Sequence, residues 1–161
     1  MSKAFTKEDD EIPERVSRAR SSSGLPPGAV NYMTEEGARR LRSELEDLQK
    51  RVLRAKADRA DPVNASTAEW MAKLRSALDS ATIVPIREVA PTEVLFGTTV
   101  TVRSAHGELR RHRIVGVDET ALEEGWVSWV SPLAKALLGA EVGQRIALPD
   151  ATKVEIVEIA V

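Results

Sequence analysis

Cysteine is absent from the 161-residue chain. That excludes disulfides, thiolate metal sites and a cysteine nucleophile, and suits a reducing cytosol. Histidine is almost absent: His106 and His112 are the two, and no carboxylates are spaced nearby to complete a zinc site. His112 has no acid or nucleophile at a recognisable spacing and takes no catalytic role. No apolar run approaches the ~20 residues that span a bilayer. The opening MSKAFTKEDDEIPERV lacks an apolar signal core, so a cytoplasmic protein with no membrane partner is expected. There is no nucleotide-binding glycine loop and no triad spacing, which leaves little room for a self-contained enzyme. A net charge of −2 does not by itself make a polyanion-binding surface.

What is present is organised in three parts. Residues 1–30 are charged, then rich in Ser, Pro and Gly, and read as a disordered tail. Arg15, Arg18 and Arg20 could touch RNA or an acidic surface there, but a solvated tail is the favoured reading. Residues 31–83 carry two apolar stripes at helical spacing. Thr34 is a good N-cap, with Glu35 and Glu36 where the helix dipole favours negative charge. Leu41, Leu45, Leu48 and Val52 then follow at 4-3-4 spacing, an a/d seam. This first helix is expected to fray near residues 57–60, because Pro62 disfavours helical geometry before it. A second helix begins near Ser66 or Thr67, with Met71, Leu74, Leu78 and Ala81 as its stripe. The short connection predicts an antiparallel coiled-coil hairpin of ~23 and ~16 residues that leans on the next domain for stability.

From Ile83 a proline-punctuated linker leads into residues 84–161, where period-2 runs cover 98–104, 108–118, 126–130 and 153–161. A short helix over 132–143, stopped by Gly139, completes them. The fold class is α+β: a helical hairpin, then a small domain whose antiparallel sheet is covered by one helix. Trp126 and Trp129 should point to opposite faces, at least one into the core. Arg111 and Arg113 should form an exposed basic pair, since Arg110 and His112 share a face with Ile114.

VSWVSPLAKALLGAEVGQRIALP resembles the signature of the GreA/GreB family of bacterial transcript-cleavage factors. Ser131, Pro132, Leu133, Ala134, Ala136, Leu137, Leu138, Gly139, Val142 and Gly143 match, and Gln144 stands where the family has Asp. VLFGTTVTV, HRIVGVDE and NYMTEEGARRLRSELEDL are similar to three further family motifs, so the resemblance spans about residues 31–161. It implies an FKBP-like C-terminal domain without isomerase activity. It also implies RNA polymerase as partner: this domain would dock at the rim of the secondary channel, through Ser131, Pro132, Leu133, Ala134 and Lys135. The hairpin would enter the channel, where family members bring two tip carboxylates to the polymerase's Mg²⁺. Such ions favour oxygen ligands, often one or two carboxylates with substrate phosphates.

The tip of this chain, RADPVNASTAEW, departs from that pattern. Aligned on Ala68-Glu69-Trp70, it has Val63 and Ser66 where the family has its two catalytic acids. The turn is formed by Pro62, Val63, Asn64, Ala65 and Ser66. Asp58, Asp61 and Glu69 remain close, and Asp61 with Glu69 are the candidates to replace the missing pair as Mg²⁺ ligands. Each has an ordinary explanation: Asp61 as a turn residue, and Glu69 as a carboxylate favoured by the dipole in the first turn of the second helix. No residue is therefore assigned a catalytic or resident-metal role, and no cofactor is expected beyond the polymerase's own Mg²⁺. Arg51, Arg54, Arg111 and Arg113 are candidate contacts to nascent RNA or DNA. The expectation is a monomeric factor that binds polymerase and regulates elongation without strong cleavage stimulation. The alternatives are a cleavage factor with relocated acids, and an interaction module similar to nucleoside diphosphate kinase regulators.

Overall fold

The computed structural model describes residues 24–57 and 65–161. The tail positions before 24, including Arg15, Arg18 and Arg20, lie outside them. Residues 24–30 depart from the expected featureless tail. The Ala29 amide donates to the Pro26 carbonyl at 3.0 Å, and Gly28 takes φ +77°, as turn chemistry at a Pro-Pro-Gly sequence allows.

Helix α1 (Glu35–Ala57) begins where its cap chemistry requires. The Thr34 hydroxyl accepts from the Gly37 amide at 3.0 Å, and Glu35 and Glu36 occupy the first turn. Helix α2 (Ala65–Ser80) runs back against it. The lengths are 23 and 16 residues, about 35 and 24 Å at 1.5 Å per residue. Their seam is not uniform along its length. Met33, Ala38, Leu41 and Leu74 are buried at its foot, with Leu45, Leu48, Trp70 and Leu78 packed around them. Farther out Val52 is half-buried and Leu53 is 66% exposed. The hairpin core therefore fades from root to tip.

Two short strands that the sequence reading missed close the root. β1 (Asn31–Thr34) and β2 (Ala81–Val84) pair in parallel, Asn31 opposite Ala81 and Thr34 opposite Val84. The linker thus begins after Val84 rather than at Ile83. Four-residue strands are too short to display an alternation, and their pairing spans the whole hairpin.

The second layer is a five-stranded sheet in the order β5-β4-β3-β7-β6. Its strands are β3 (Thr99–Ser104), β4 (Leu109–Val115), β5 (Trp126–Ser128), β6 (Arg145–Ala147) and β7 (Lys153–Ala160). The β3–β4 hairpin turns at Gly107, with φ +83°. The expected all-antiparallel sheet is corrected at one edge: β4 and β5 are parallel. The cause is residues 116–125, which do not make a tight reversal but loop past the hairpin root, so β5 arrives running the same way as β4. β6 was not anticipated, because three residues carry no period. Helix α3 (Pro132–Leu137) is shorter than the 132–143 expected. Leu138 is its C-cap and Gly139 follows at φ +79°. It packs Ala134 and Leu137 onto Val100, Val102, Ile114 and Ile156. No described helix is long and apolar enough to cross a membrane.

Candidate functional site

Three regions hold the residues that sequence reasoning singled out: the hairpin tip, its root and α3. At the tip, Asp58, Asp61, Pro62, Val63 and Asn64 lie outside the described residues. Ala65 and Ser66 open α2 and are exposed. The first turn of α2 contains no acidic residue. Glu69 falls in the second turn, one turn later than expected, because the helix starts at Ala65. It is exposed. Just beyond it the Trp70 indole N–H donates to Glu44 Oε1 at 2.9 Å, tying α2 to α1. Among the described residues no three His, Asp or Glu side chains gather as a metal ion would need.

At the root, the first turns of α1 sit in a cradle made by β4, β5 and the loop between them. Glu119 is fully buried. Its Oε2 accepts from the Gly116 amide at 2.6 Å and the Thr34 amide at 3.0 Å, and its Oε1 accepts from the Thr34 hydroxyl. Burial pushes this carboxyl above the usual range, against the pull of those bonds and of Arg113. Both neighbouring glycines are there for space, not for conformation. A Cβ on Gly37 would collide with the Glu119 carboxylate, and one on Gly116 with the Tyr32 carbonyl and, at 2.7 Å, with Glu119 Oε2.

Beside Glu119 runs an ionic ladder. Arg113 Nη1 meets Glu36 Oε2 at 2.5 Å. Arg40 joins Glu36 Oε1 at 2.5 Å and Glu123 at 3.1 Å. Both guanidiniums lie on the buried Trp126 ring, 5.1 Å (Arg40) and 4.9 Å (Arg113) from its centre. Hydrogen bonding to Arg113 holds the Glu36 carboxyl below its usual value, with Arg40 adding to the effect. On the other side, Asn31 Nδ2 donates to Ser80 Oγ at 3.0 Å and Asp118 Oδ2 at 3.3 Å.

The expected exposed pair of Arg111 and Arg113 is therefore half wrong. Arg111 is exposed, but the Arg113 side chain is only 17% exposed. Alternation put both on one face correctly. It could not show that α1 covers that face toward the end of β4, where Val115 is fully buried. Trp126 is buried as one of the two was expected to be. Trp129 lies just past β5, half-buried, edge-on to Tyr32 at 5.5 Å. His112 is half-buried, and burial, with Arg110 nearby, pushes its pKa down.

On α3 the five candidate docking residues separate. Ser131 spends its hydroxyl as N-cap, accepting from the Ala134 amide at 3.1 Å. Ala134 is fully buried, so it faces the core and not a partner. Leu133 packs on the core from its edge. Pro132 and Lys135 are exposed. Arg51 and Arg54 are exposed on the outer half of α1. Sequence reasoning assigned no role to Glu119. The only signal was that TEEG and VGVDE are two separate recognisable stretches; an acid after a turn otherwise reads as a solvated one.

The chain matches the family model described as "Transcription elongation factor, GreA/GreB, C-term" over residues 89–160. It is 35% identical to transcription elongation factor GreB of Pseudomonas aeruginosa over 132 residues, covering 71% of this chain and 79% of that one. It is 38% identical to GreB of Xanthomonas axonopodis pv. citri over 138 residues, covering 73% and 82%. Among solved structures, GreA/GreB from Nitrosomonas europaea aligns at 24% identity over 81% of this chain and 98% of that one, with a TM-score of 0.40.

Proposed function

Because the chain belongs to the GreA/GreB family of transcription elongation factors, we propose that it binds RNA polymerase and regulates elongation by occupying the secondary channel, without delivering catalytic carboxylates. The observation that carries this is the composition of the tip. From Pro62 to Ala68 the sequence has no acid, and the first turn of α2 has none either. The Val63 side chain offers a metal no oxygen, and that of Ser66 offers a neutral hydroxyl in place of a carboxylate. A Mg²⁺ ligand must come within about 2.1 Å of the ion, so the residues at these positions do not fit a second-metal role.

On this reading the C-terminal domain supplies affinity through the exposed Pro132 and Lys135 on α3, at the channel rim. The hairpin supplies the effect, as a rod about 35 Å long. Arg51 and Arg54, outward on its distal half, are placed for phosphates of nascent RNA or DNA, where each cation adds salt-dependent attraction and no sequence preference. The protein acts as a monomer in the cytoplasm, is not itself an enzyme, and meets Mg²⁺ only in the polymerase active site.

The test is a backtracked elongation complex with purified protein. Saturable binding and altered elongation, with no acceleration of transcript shortening, are expected. Rapid shortening that disappears in Asp61→Ala and Glu69→Ala would sink the occupancy mechanism in favour of relocated acids.

A further inference from the structure

We propose that Glu119 is a positioning residue that sets the direction of the hairpin relative to the docking domain, and so decides where the tip lies once that domain is bound. The inference rests on the polymerase-binding reading for its functional consequence, but its structural part stands alone. Two stretches 80 or so residues apart in sequence meet at this one side chain: Thr34 and Gly37 at the start of α1, and Gly116 to Glu119 after β4. The carboxylate takes three donors and offers its oxygens to both parts at once. Its two glycine neighbours leave it only the space it fills.

The cradle is more specific than a stability device requires. A buried apolar side chain in this place would also hold two elements together, but it would allow rotation between them. A carboxylate held by two backbone amides and one hydroxyl fixes orientation, because hydrogen bonds weaken steeply off axis. Orientation matters here because of leverage. On an arm about 35 Å long, each 10° of rotation at the root moves the tip by about 6 Å. Entry into a narrow channel cannot tolerate such displacements, so precision at the tip has to be established at Thr34. Glu36 with Arg113, and Arg40 with Glu123, reinforce the same junction, but in these pairs both partners are side chains and can follow a rotation that bonds from fixed backbone amides to Glu119 cannot.

Spin labels test this directly, since the chain has no cysteine and the exposed Lys56 and Lys153 can be changed to Cys without competing sites. Pulsed dipolar spectroscopy on the full-length labelled protein should give one narrow distance distribution. Gly37→Ala, which expels the carboxylate while favouring helix, should broaden or shift it by about 6 Å for each 10° released. Glu119→Ala should do the same, and Gly37→Ala added to Glu119→Ala should do no further harm, because the clash is gone. Glu119→Gln keeps an acceptor for both amides and should restore the narrow distribution. Unchanged distances in Gly37→Ala and Glu119→Ala, with the near-UV signal of the tryptophans intact, would overturn the proposal. Should Glu119→Ala not fold, Glu119→Asp draws the carboxylate back by one methylene while leaving the Thr34 cap on Gly37 in place, and is judged by the same criterion. With polymerase, Glu119→Ala should keep wild-type affinity and lose the effect on elongation; a parallel loss of both would refute the positioning role. If the wild-type chain fails to bind polymerase at all, the proposed function falls, and the label distances still decide this inference.

Discussion

Replacing Arg113 by Met removes a guanidinium that joins the sheet to α1 while keeping most of the stem. The loss can be worked out from its surroundings. Its bond to Glu36 links two side chains only 17% and 20% exposed, so it is screened far less than a surface pair. A hydrogen bond to a charged group contributes about 1.5–3 kcal/mol. Glu36 is not left unpaired, since Arg40 still reaches it, which argues for the lower end. Losing the contact with Trp126 adds about 0.5–1 kcal/mol. The expected destabilisation is thus about 2–3 kcal/mol, a fall in Tm of roughly 4–12 °C for a chain of this size. Arg40→Met is the comparison. Its side chain is 40% exposed and its partner Glu123 54%. It also bonds Glu36 and lies over Trp126, but Arg113 still holds Glu36 without it, so screened pairs and ring contact together should cost about 1–1.5 kcal/mol, less than Arg113. Urea unfolding followed by tryptophan fluorescence reads both, at low and high salt. Only the Arg40 loss should shrink with salt. Equal losses, or an Arg113 loss that vanishes in salt, would refute the reasoning that covering by α1 turns this ion pair into a structural one.

The fading seam gives a second expectation: Leu41→Ala and Leu74→Ala, at fully or nearly fully buried sites, should each cost about 2–5 kcal/mol. Val52→Ala, at the half-buried outer end of the seam, should cost about 1 kcal/mol or less, and thermal melts of the three separate the gradient from a uniform zipper. Acid unfolding tests Glu36. Its carboxyl is held low in the folded state, so it contributes stability above the unfolded value of 4.5 that is lost as pH falls through the lower folded value. Glu36→Gln should flatten that part of the pH–stability curve. Finally, Lys135→Glu should weaken polymerase binding in a salt-dependent way without changing Tm, whereas Ala134→Asp should unfold the domain by placing a charge in its core. An undiminished affinity in Lys135→Glu would remove α3 from the docking surface.

Much of this fold was legible because long periodic segments declare themselves. Leu41, Leu45 and Leu48 could only be one face of a helix, and VTV with RIV could only be strands. β1, β2 and β6 were not legible, being three or four residues long with partners far away in sequence. The parallel β5 was missed because alternation gives a strand's faces but not its direction. The reading of the tip rests on composition alone, since residues 58–64 lie outside the described residues. The root was invisible: nothing in VGVDE says that Glu119 is buried, because the cover comes from Thr34 and Gly37, contributed by another part of the chain. Arg113 was misread for the same reason.

The parallel pairing of β1 with β2 brings the start and finish of the hairpin side by side, Thr34 opposite Val84. Everything between them leaves from and returns to one place. The contacts that fix that place involve residues 31–40 of the outgoing leg and Ala77 and Ser80 of the returning one. Adding seven residues to each helix would preserve the phase of the seam and lengthen the rod by about 10 Å, with no change at the base. The arm is in this sense a replaceable blade on a fixed handle. Blades of different length or tip composition, mounted on one handle, would turn a single docking surface into a set of instruments that differ only in how deep they reach and what they carry.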